Sequence, residues 1–246
     1  MRICRFRIGT ETFAGTINGD GVTIFENSER RDETYSLVDV TILPPVKPSK
    51  IVCVGRNYAD HAAELGNAVP KEPLLFLKAP SAIIGNGDAI RLPSQSHQVE
   101  HEGELGVVIG RTCRGLFDDE DPLSYVLGFT CLNDVTARDL QKQDVQFTRA
   151  KSFDTFCPVG PFVETNIDLE NGGIVTRVNG LIRQTGMFSQ MVFPVDFLIR
   201  YISNVMTLMP GDVIATGTPS GVGKLESGDV CEVEIGGVGV LRNPVE

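Results

Sequence analysis

Short apolar segments, separated by turns rich in glycine and proline, restrict the fold of this chain more than any other feature. The 246-residue sequence contains 26 glycines and 14 prolines, spread along its whole length. Buried strands are predicted at residues 51–54, 74–77, 104–109 and 128–132, and further strands at residues 213–216, 230–235 and 238–241. Such a pattern is typical of a protein built from many short strands.

Helical patterns are few. Residues 195–206 follow Pro194 and carry one apolar face, which predicts the one long helix. A short helix is expected at residues 58–65, where Asn57 can cap the start and Gly66 can end it. Because the strands outnumber the helices and do not alternate with them, the sequence favours a mainly β, α+β fold over a Rossmann or TIM-barrel fold.

A small β-unit is predicted at the N-terminus. Alternating apolar and polar side chains flank Asn18-Gly19-Asp20-Gly21, which is a strong hairpin turn. Three prolines between positions 44 and 48 then form a stiff, extended connector. We therefore expect a small β domain at residues 1–47 and the main domain at residues 48–246.

Charge and composition argue against several classes of protein. The net charge is −10 and the pI about 4.8, which disfavours nucleic acid and anionic membranes as partners. No apolar run approaches the length of a membrane span, and the N-terminus lacks the apolar core of a signal peptide. The six cysteines form no CxxC pair and lie in apolar surroundings, as in a reduced protein. We therefore expect a cytoplasmic location.

An acidic sequence stands at the head of one predicted strand. Side chains two residues apart share a face of a strand, so Glu102 and Glu104 point to one side and His101 to the other. Asp134 ends a second apolar strand and is a good third ligand. Three carboxylates without a soft ligand suit Mg²⁺ or Mn²⁺ and leave about three of six octahedral positions for water or substrate. The pattern alone leaves a solvated acidic strand end as an equal alternative.

A histidine and a glutamate lie one turn apart in the short predicted helix. His61 and Glu64 are spaced i, i+3, which makes them neighbours on a helix. A carboxylate beside the ring raises its basicity and orients it, as a general base acting on water requires. The pattern leaves open an exposed surface ion pair instead.

Two further segments contain groups that can bind an anion. Lys151 lies among small and apolar residues, where it can pair with a buried anion or reach a surface carboxylate. A predicted strand runs into the glycine-rich loop at residues 217–223, whose backbone N–H groups can bind a carboxylate. This loop lacks the spacing of a Walker A sequence, and an ordinary glycine-rich turn is the alternative.

The ordered motifs from about Lys50 to the C-terminus resemble the fumarylacetoacetate hydrolase superfamily. They are Gly55-Arg56-Asn57-Tyr58 with His61 and Glu64, Phe76-Leu77-Lys78, Glu102-Gly103-Glu104-Leu105, Asn133-Asp134-Val135-Thr136-Ala137-Arg138-Asp139, Ala150-Lys151-Ser152-Phe153-Asp154, Val178-Asn179-Gly180, and Gly211-Asp212-Val213 with the loop that ends at Gly223. The resemblance implies a mixed β-sandwich roll with few helices, preceded by a variable N-terminal β-unit, and a homodimer.

The same resemblance assigns roles to individual residues. It places one Mg²⁺ or Mn²⁺ ion on Glu102, Glu104 and Asp134. Catalytic roles are implied for His61 and Glu64, on a segment that acts as a lid in relatives, and for Lys151. Contacts with a small anionic 2-oxo acid substrate are implied for Arg56, Lys78, Arg138, Gln141 and Thr218.

The expected reaction is hydrolysis of a C–C bond in a β-diketo acid of the acylpyruvate or fumarylpyruvate type, through a metal-bound enolate. It is preferred because His61 and Glu64 are both present to activate water. The alternative is decarboxylation or isomerisation of a 2-oxo acid: oxaloacetate, 5-oxopent-3-ene-1,2,5-tricarboxylate or 2-hydroxyhepta-2,4-diene-1,7-dioate, the last two in aromatic catabolism. A binding protein without catalysis is a more distant alternative, because a fold alone does not fix a function.

Overall fold

The computed structural model describes residues 1–25 and 29–246, and within these ranges the protein is mainly β, as the sequence predicts. The strands are β1 (Arg2–Ile8), β2 (Glu11–Asn18), β3 (Gly21–Ile24), β4 (Thr34–Ser36), β5 (Thr41–Leu43), β6 (Ile51–Gly55), β7 (Leu74–Lys78), β8 (Ile83–Ile84), β9 (Val99–His101), β10 (Gly103–Ile109), β11 (Val126–Asn133), β12 (Thr136–Ala137), β13 (Cys157–Glu164), β14 (Gly173–Val178), β15 (Leu181–Met187), β16 (Val213–Ala215), β17 (Gly223–Lys224), β18 (Val230–Ile235) and β19 (Gly239–Pro244). The α-helices are α1 (Ala59–Glu64), α2 (Arg138–Gln143), α3 (Thr148–Lys151) and α4 (Val195–Val205). Single 3-10 turns lie at Leu37–Asp39, Pro80–Ala82, Pro122–Tyr125 and Phe188–Gln190.

Twelve of the described strands form one mixed sheet. Its order is β4-β3-β2-β1-β13-β11-β10-β16-β6-β7, with β5 beside β1 and β8 beside β13. Strand β16 runs parallel to β6, and β8 runs parallel to β13, whereas the other pairs are antiparallel. Two smaller sheets have the orders β12-β9-β17 and β15-β14-β18-β19.

The N-terminal unit continues the main sheet. Strand β1 pairs with β2 and β5 inside the unit and with β13 beyond it. The predicted hairpin turn joins β2 to β3, and Gly19 in that turn has φ +57°. At the proline connector, Arg5 Nη1 donates to the carbonyls of Pro44 and Val46 at 3.0 and 3.2 Å. The domain boundary after residue 47 stays a prediction.

Buried strands carry the acidic sequence into the interior. All seven residues of β10 are buried, because β11 and β16 flank it and the core covers both of its faces. Helix α4 packs Leu198, Ile199 and Ile202 into the same core as β10. Charged side chains at the start of β10 therefore lie inside the protein.

Two local predictions are wrong. Helix α1 begins without a side-chain cap, because the buried amide of Asn57 instead donates to the carbonyls of Phe193 and Thr216 at 3.0 and 2.7 Å. Strand β7 is only partly buried: Leu74 is 36% exposed and Leu77 is 44% exposed. The reason is its place at the edge of the main sheet, which leaves part of each side chain uncovered.

The sequence also made predictions about the cysteines and about membrane-spanning helices. All six cysteines are buried and free, as expected of reduced core residues. In residues 1–25 and 29–246, no helix is long and apolar enough to cross a membrane.

Candidate active site

Three carboxylates meet at the start of β10. Glu102 lies between β9 and β10, Glu104 is the second residue of β10, and Asp134 follows β11. Strands β10 and β11 are antiparallel with Gly103 opposite Asn133, so the end of β11 lies against the start of β10. The backbone N–H of Asp134 donates to the carbonyl of Glu102 at 2.8 Å. One oxygen from each carboxylate lies within 4.8 Å of the other two.

Three buried cationic side chains surround these carboxylates. Lys151 Nζ donates to Glu102 Oε2 at 2.9 Å and to Asp134 Oδ2 at 2.6 Å. Lys78 Nζ donates to Asp134 Oδ1 at 2.5 Å, and Arg138 Nη2 donates to Glu102 Oε1. All three carboxylates are buried, so a solvated strand end does not describe this cluster.

Charge pairing outweighs burial in setting two of these pKa values. Burial alone would lower the pKa of Lys151, but the carboxylates of Asp134 and Glu102 hold that pKa above its usual value. Burial alone would raise the pKa of Glu102, but Lys151 and Arg138 hold it well below its usual value. The pairing therefore favours the charged forms of Lys151 and Glu102.

Glu104 has a different environment. Within the described ranges its carboxylate accepts one hydrogen bond, from the backbone N–H of Gly217 at 2.7 Å, and pairs with no cationic side chain. Burial, followed by the negative charges of Asp134 and Glu102, raises the pKa of Glu104 well above its usual value. A cation among the three carboxylates would remove this repulsion.

A divalent metal ion fits this donor set. Four buried carboxyl groups, counting Glu100 beside Arg138, face three buried cationic side chains, and within the described ranges the carboxyl group of Glu104 is the one without a cationic partner. Every candidate ligand atom is a carboxylate oxygen, the donor that Mg²⁺ and Mn²⁺ prefer. Glu102, Glu104 and Asp134 are the residues that would hold the ion.

The predicted histidine–glutamate pair faces the same region. His61 Nδ1 lies 3.3 Å from Glu64 Oε2 on α1, and the His61 side chain is buried, unlike that of a surface ion pair. The backbone N–H of Gly221 donates to the Glu64 carboxylate at 3.0 and 3.2 Å. The glycine-rich loop therefore binds two carboxylates of the protein itself, that of Glu64 through Gly221 and that of Glu104 through Gly217.

A cavity of about 430 Å³ connects the acidic cluster to the histidine–glutamate pair. Phe76 and Phe147 meet edge to face in its wall, with ring centres 5.5 Å apart. Lys151 Nζ lies 5.0 Å from the centre of the Phe76 ring. Arg56 also lines the cavity, at a φ of +59° that non-glycine residues adopt mainly at turns and functional sites. A small organic acid fits a space of this size.

Ten of the eleven site residues predicted from the sequence line this cavity. They are Arg56, His61, Glu64, Glu102, Glu104, Asp134, Arg138, Gln141, Lys151 and Thr218. Lys78 differs from its predicted place, because it is buried behind Asp134, where its ammonium also donates to the carbonyl of Val135 at 3.1 Å. The roles of all eleven residues stay predictions.

Three supporting residues were missed in the sequence. Glu100 accepts from Arg138, Asn133 accepts from the backbone N–H of Glu102 at 2.9 Å, and Gln184 contacts the turn between β9 and β10. Glu100 stands two residues before Glu102, so strand alternation could have found it. Gln184 comes from β15 in a separate sheet, and no sequence spacing links it to the site.

Comparison with known proteins places the chain in a family. Residues 50–246 match the family Fumarylacetoacetate (FAA) hydrolase C-terminal, and residues 1–45 match Rv2993c-like, N-terminal. An uncharacterized protein of Archaeoglobus fulgidus is 50% identical over 240 residues, which cover 97% of this chain and 94% of that protein. Oxaloacetate tautomerase YisK of Bacillus subtilis is 43% identical over 234 residues, which cover 89% of this chain and 77% of that protein.

Superposition on a solved structure supports the same family assignment. The 5-carboxymethyl-2-hydroxymuconate delta-isomerase from Mycobacterium smegmatis superposes with a TM-score of 0.91 at 42% identity, covering 100% of this chain and 98% of that one. Family members with named activities are enzymes, which argues against a binding protein without catalysis. The chain therefore belongs to the fumarylacetoacetate hydrolase family of enzymes.

Proposed function

We propose that this enzyme uses a divalent metal ion to transfer a proton on a small 2-oxo acid, interconverting its enol and keto forms or isomerising its double bond. The observation that carries this proposal is the shared cavity, which holds the His61–Glu64 pair and the acidic cluster together. Relatives named as an oxaloacetate tautomerase and a delta-isomerase support this reaction class better than C–C hydrolysis.

Glu102, Glu104 and Asp134 are proposed to hold Mg²⁺ or Mn²⁺. When bound, such an ion supplies a Lewis acid that lowers the cost of negative charge on a 2-oxo acid. The pairing of Lys151 with Glu102 and Asp134 favours the charged ammonium, so a positive group is proposed to be in place before the substrate arrives.

Cationic side chains explain how an acidic protein would attract an anionic substrate. The chain carries a net charge of −10, so a carboxylate needs a local positive site. Arg56 and Lys142 line the cavity, and neither forms an ion pair within the described ranges. We propose that they bind a carboxylate of the substrate, and that Gln141 and Thr218 orient it.

His61 is proposed to carry the proton. A carboxylate can only accept a hydrogen bond, so we propose that Glu64 holds the ring hydrogen on Nδ1 and leaves the lone pair of Nε2 for the proton that is transferred. A general base of this kind typically contributes about 10²–10⁴-fold to a rate. Because Gly221 binds Glu64, helix α1 lies against the glycine-rich loop and restricts the entry of water.

Hydrolysis of an acylpyruvate or fumarylpyruvate is the second candidate. The same His61–Glu64 pair could activate a water molecule, which is the observation that favours it. Loss of CO₂ from oxaloacetate would need no activated water. The three reactions give different products, so product identity separates them.

The test is a substrate panel with the purified enzyme and Mg²⁺ or Mn²⁺. With the enol form of oxaloacetate, we expect a faster loss of enol absorbance without release of pyruvate or CO₂. Release of CO₂ would indicate decarboxylation, and cleavage of an acylpyruvate into pyruvate and an acid would indicate hydrolysis. Failure to accelerate the loss of enol or to move a double bond in any panel member would reject the proposal.

The homodimer expected from the resemblance is also proposed, and light scattering after gel filtration tests it.

A further inference from the structure

A buried glutamine, Gln184 of β15, joins the acidic turn to the glycine-rich loop. Its Oε1 accepts the backbone N–H of Gly103 at 3.0 Å, and its Nε2 donates to the carbonyl of Pro219 at 2.7 Å. A backbone N–H can only donate and a carbonyl can only accept. These two hydrogen bonds therefore fix which end of the amide is oxygen and which is nitrogen.

Gln184 and the Gly103 carbonyl together fix the direction of the Thr218 hydroxyl. The amide Nε2 donates its other hydrogen to Thr218 Oγ1 at 2.7 Å. Thr218 Oγ1 also lies 2.7 Å from the carbonyl of Gly103, which can only accept, so the hydroxyl hydrogen points there. A hydroxyl has one hydrogen and two lone pairs, and one lone pair is all that remains for a ligand.

Thr218 is buried and lines the cavity beside the acidic cluster. We propose that Thr218 meets the substrate only as a hydrogen-bond acceptor, and that Gln184 is the positioning residue that enforces this polarity. A substrate oxygen that carries a hydrogen, such as an enol hydroxyl, then fits the remaining lone pair. This inference rests on the proposed proton-transfer function and adds to it a preference for the hydroxyl form at one position.

A carbonyl or carboxylate oxygen at this position would face the lone pair of Thr218. To donate to such an oxygen, Thr218 would have to break its bond to Gly103 and leave a buried carbonyl without a partner. An unsatisfied buried acceptor is costly, so the acceptor polarity resists reversal. The Gln184 amide is held equally firmly, because His101 Nδ1 lies 3.2 Å from Oε1 and completes its four hydrogen bonds.

The experiment measures binding without turnover, by calorimetry in the presence of Mg²⁺. The probes are 2-hydroxysuccinate and 2-fluorosuccinate, which differ in one substituent: the hydroxyl can donate a hydrogen bond and the fluorine cannot. We expect the native enzyme to bind the hydroxy acid about five- to tenfold more tightly, the ratio that one hydrogen bond supports.

Substitutions of Thr218 and Gln184 distinguish the role of the acceptor from the role of the residue that positions it. Thr218→Val removes the acceptor and should bring the affinity ratio close to one, whereas Thr218→Ser should keep it. Gln184→Met removes the amide that holds both the Gly103 backbone and Thr218 Oγ1, so the bond from Thr218 to the Gly103 carbonyl is no longer kept in place and the ratio should also fall towards one. Gln95→Met, at an exposed glutamine, is the matched control and should behave as the native enzyme.

Equal or tighter binding of the fluoro acid by the native enzyme would overturn the acceptor assignment. A ratio that survives in Gln184→Met would overturn the positioning role. If that variant does not fold, Gln184→Leu replaces it, because an apolar side chain removes the same hydrogen bonds and cannot accept from Thr218. A hydroxyl preference in an enzyme without tautomerase or isomerase activity would reject the proposed function but not the polarity of Thr218.

Discussion

The carboxylate of Glu64 accepts the backbone N–H of Gly221 at 3.0 Å while it lies 3.3 Å from Nδ1 of His61. One side chain therefore holds helix α1 against the glycine-rich loop and orients the ring proposed to transfer the proton. These two functions need different properties of Glu64, because the backbone bond needs only an acceptor, whereas the proposed proton transfer places a positive charge on the ring that a negative charge nearby would stabilise.

Two substitutions of Glu64 separate these functions. Glu64→Gln keeps an oxygen that can accept from Gly221 but loses the charge, so kcat should fall about 10- to 100-fold with KM little changed. Glu64→Ala loses both contacts, so KM should rise as well because the helix is no longer held. Steady-state kinetics on the enol substrate measure both constants. Identical KM values for the two variants would reject a role of Glu64 in holding α1.

Lys151 is proposed to supply positive charge to the site in addition to that of the metal ion. Lys151→Met keeps much of the length of the side chain but leaves Glu102 and Asp134 without their shared ammonium. We expect kcat/KM to fall about 10²–10³-fold, as for the loss of one preorganised electrostatic partner. Lys47→Met, at an exposed lysine, is the control and should stay close to the native value. A native rate in Lys151→Met would show that this ammonium does not act in the reaction.

Sequence reasoning identified the residues of the site better than the contacts that position them. Strand alternation placed Glu102 and Glu104 on one side, and their carboxylates lie close together, because Glu102 immediately precedes the regular, buried strand β10. Gln184 could not be found, because it reaches the site from β15 in a different sheet. The predicted capping role of Asn57 was wrong, because tertiary carbonyls of the chain compete for its amide and no local rule describes them.

Removal of the metal ion should abolish activity. Chelation with EDTA followed by Mg²⁺ or Mn²⁺ should restore it, and added ion should raise the melting temperature because it binds only the folded protein. Glu104→Gln keeps the shape of the side chain but loses one proposed ligand charge, so affinity for Mg²⁺ should fall at least about tenfold. Glu170→Gln, at an exposed glutamate, is the control. Full activity in chelator would reject the metal assignment.

Asp212 connects the segment before β6 to the start of β16. Its Oδ1 accepts the backbone N–H groups of Ser49 and Lys50 at 2.9 and 3.1 Å, and its Oδ2 accepts that of Met209 at 2.8 Å. Burial alone would raise the pKa of Asp212, but the Lys50 ammonium and these donors lower it below its usual value. A lowered pKa in the folded state stabilises the protein above the unfolded pKa of about 3.9 and is lost as the pH falls through the folded value.

Asp212→Asn should therefore destabilise the protein in a pH-dependent manner. At pH 7 we expect a loss of roughly 2–4 kcal/mol in the free energy of unfolding, because a buried charge pair and one acceptor are removed. The difference from the native protein should shrink as the pH falls below about 4. Urea denaturation at several pH values measures it, with Asp119→Asn, at an exposed aspartate, as the control. A difference that does not depend on pH would show that the charge of Asp212 contributes nothing.

Gly103 lies between two proposed metal ligands at a position that tolerates no side chain. A Cβ atom there would lie 2.0 Å from Thr176 Oγ1, the one buried side-chain polar atom in the described ranges that has no hydrogen-bond partner. Gly103→Ala should therefore destabilise the protein by about 1–3 kcal/mol, as overpacking of a core usually does. Gly236→Ala, where a Cβ meets nothing within 4 Å, is the control.

The double variant Gly103→Ala with Thr176→Ala tests whether this single contact is the cause. Removal of Thr176 Oγ1 leaves the β-carbon of residue 176 as the nearest atom, at 3.3 Å from the new Cβ, so most of the lost stability should return. The free energy of unfolding in urea and the affinity for Mg²⁺ should recover together, because both depend on the backbone that carries Glu102 and Glu104. Recovery of stability without recovery of Mg²⁺ binding would show that the clash does not control the geometry of the two carboxylates.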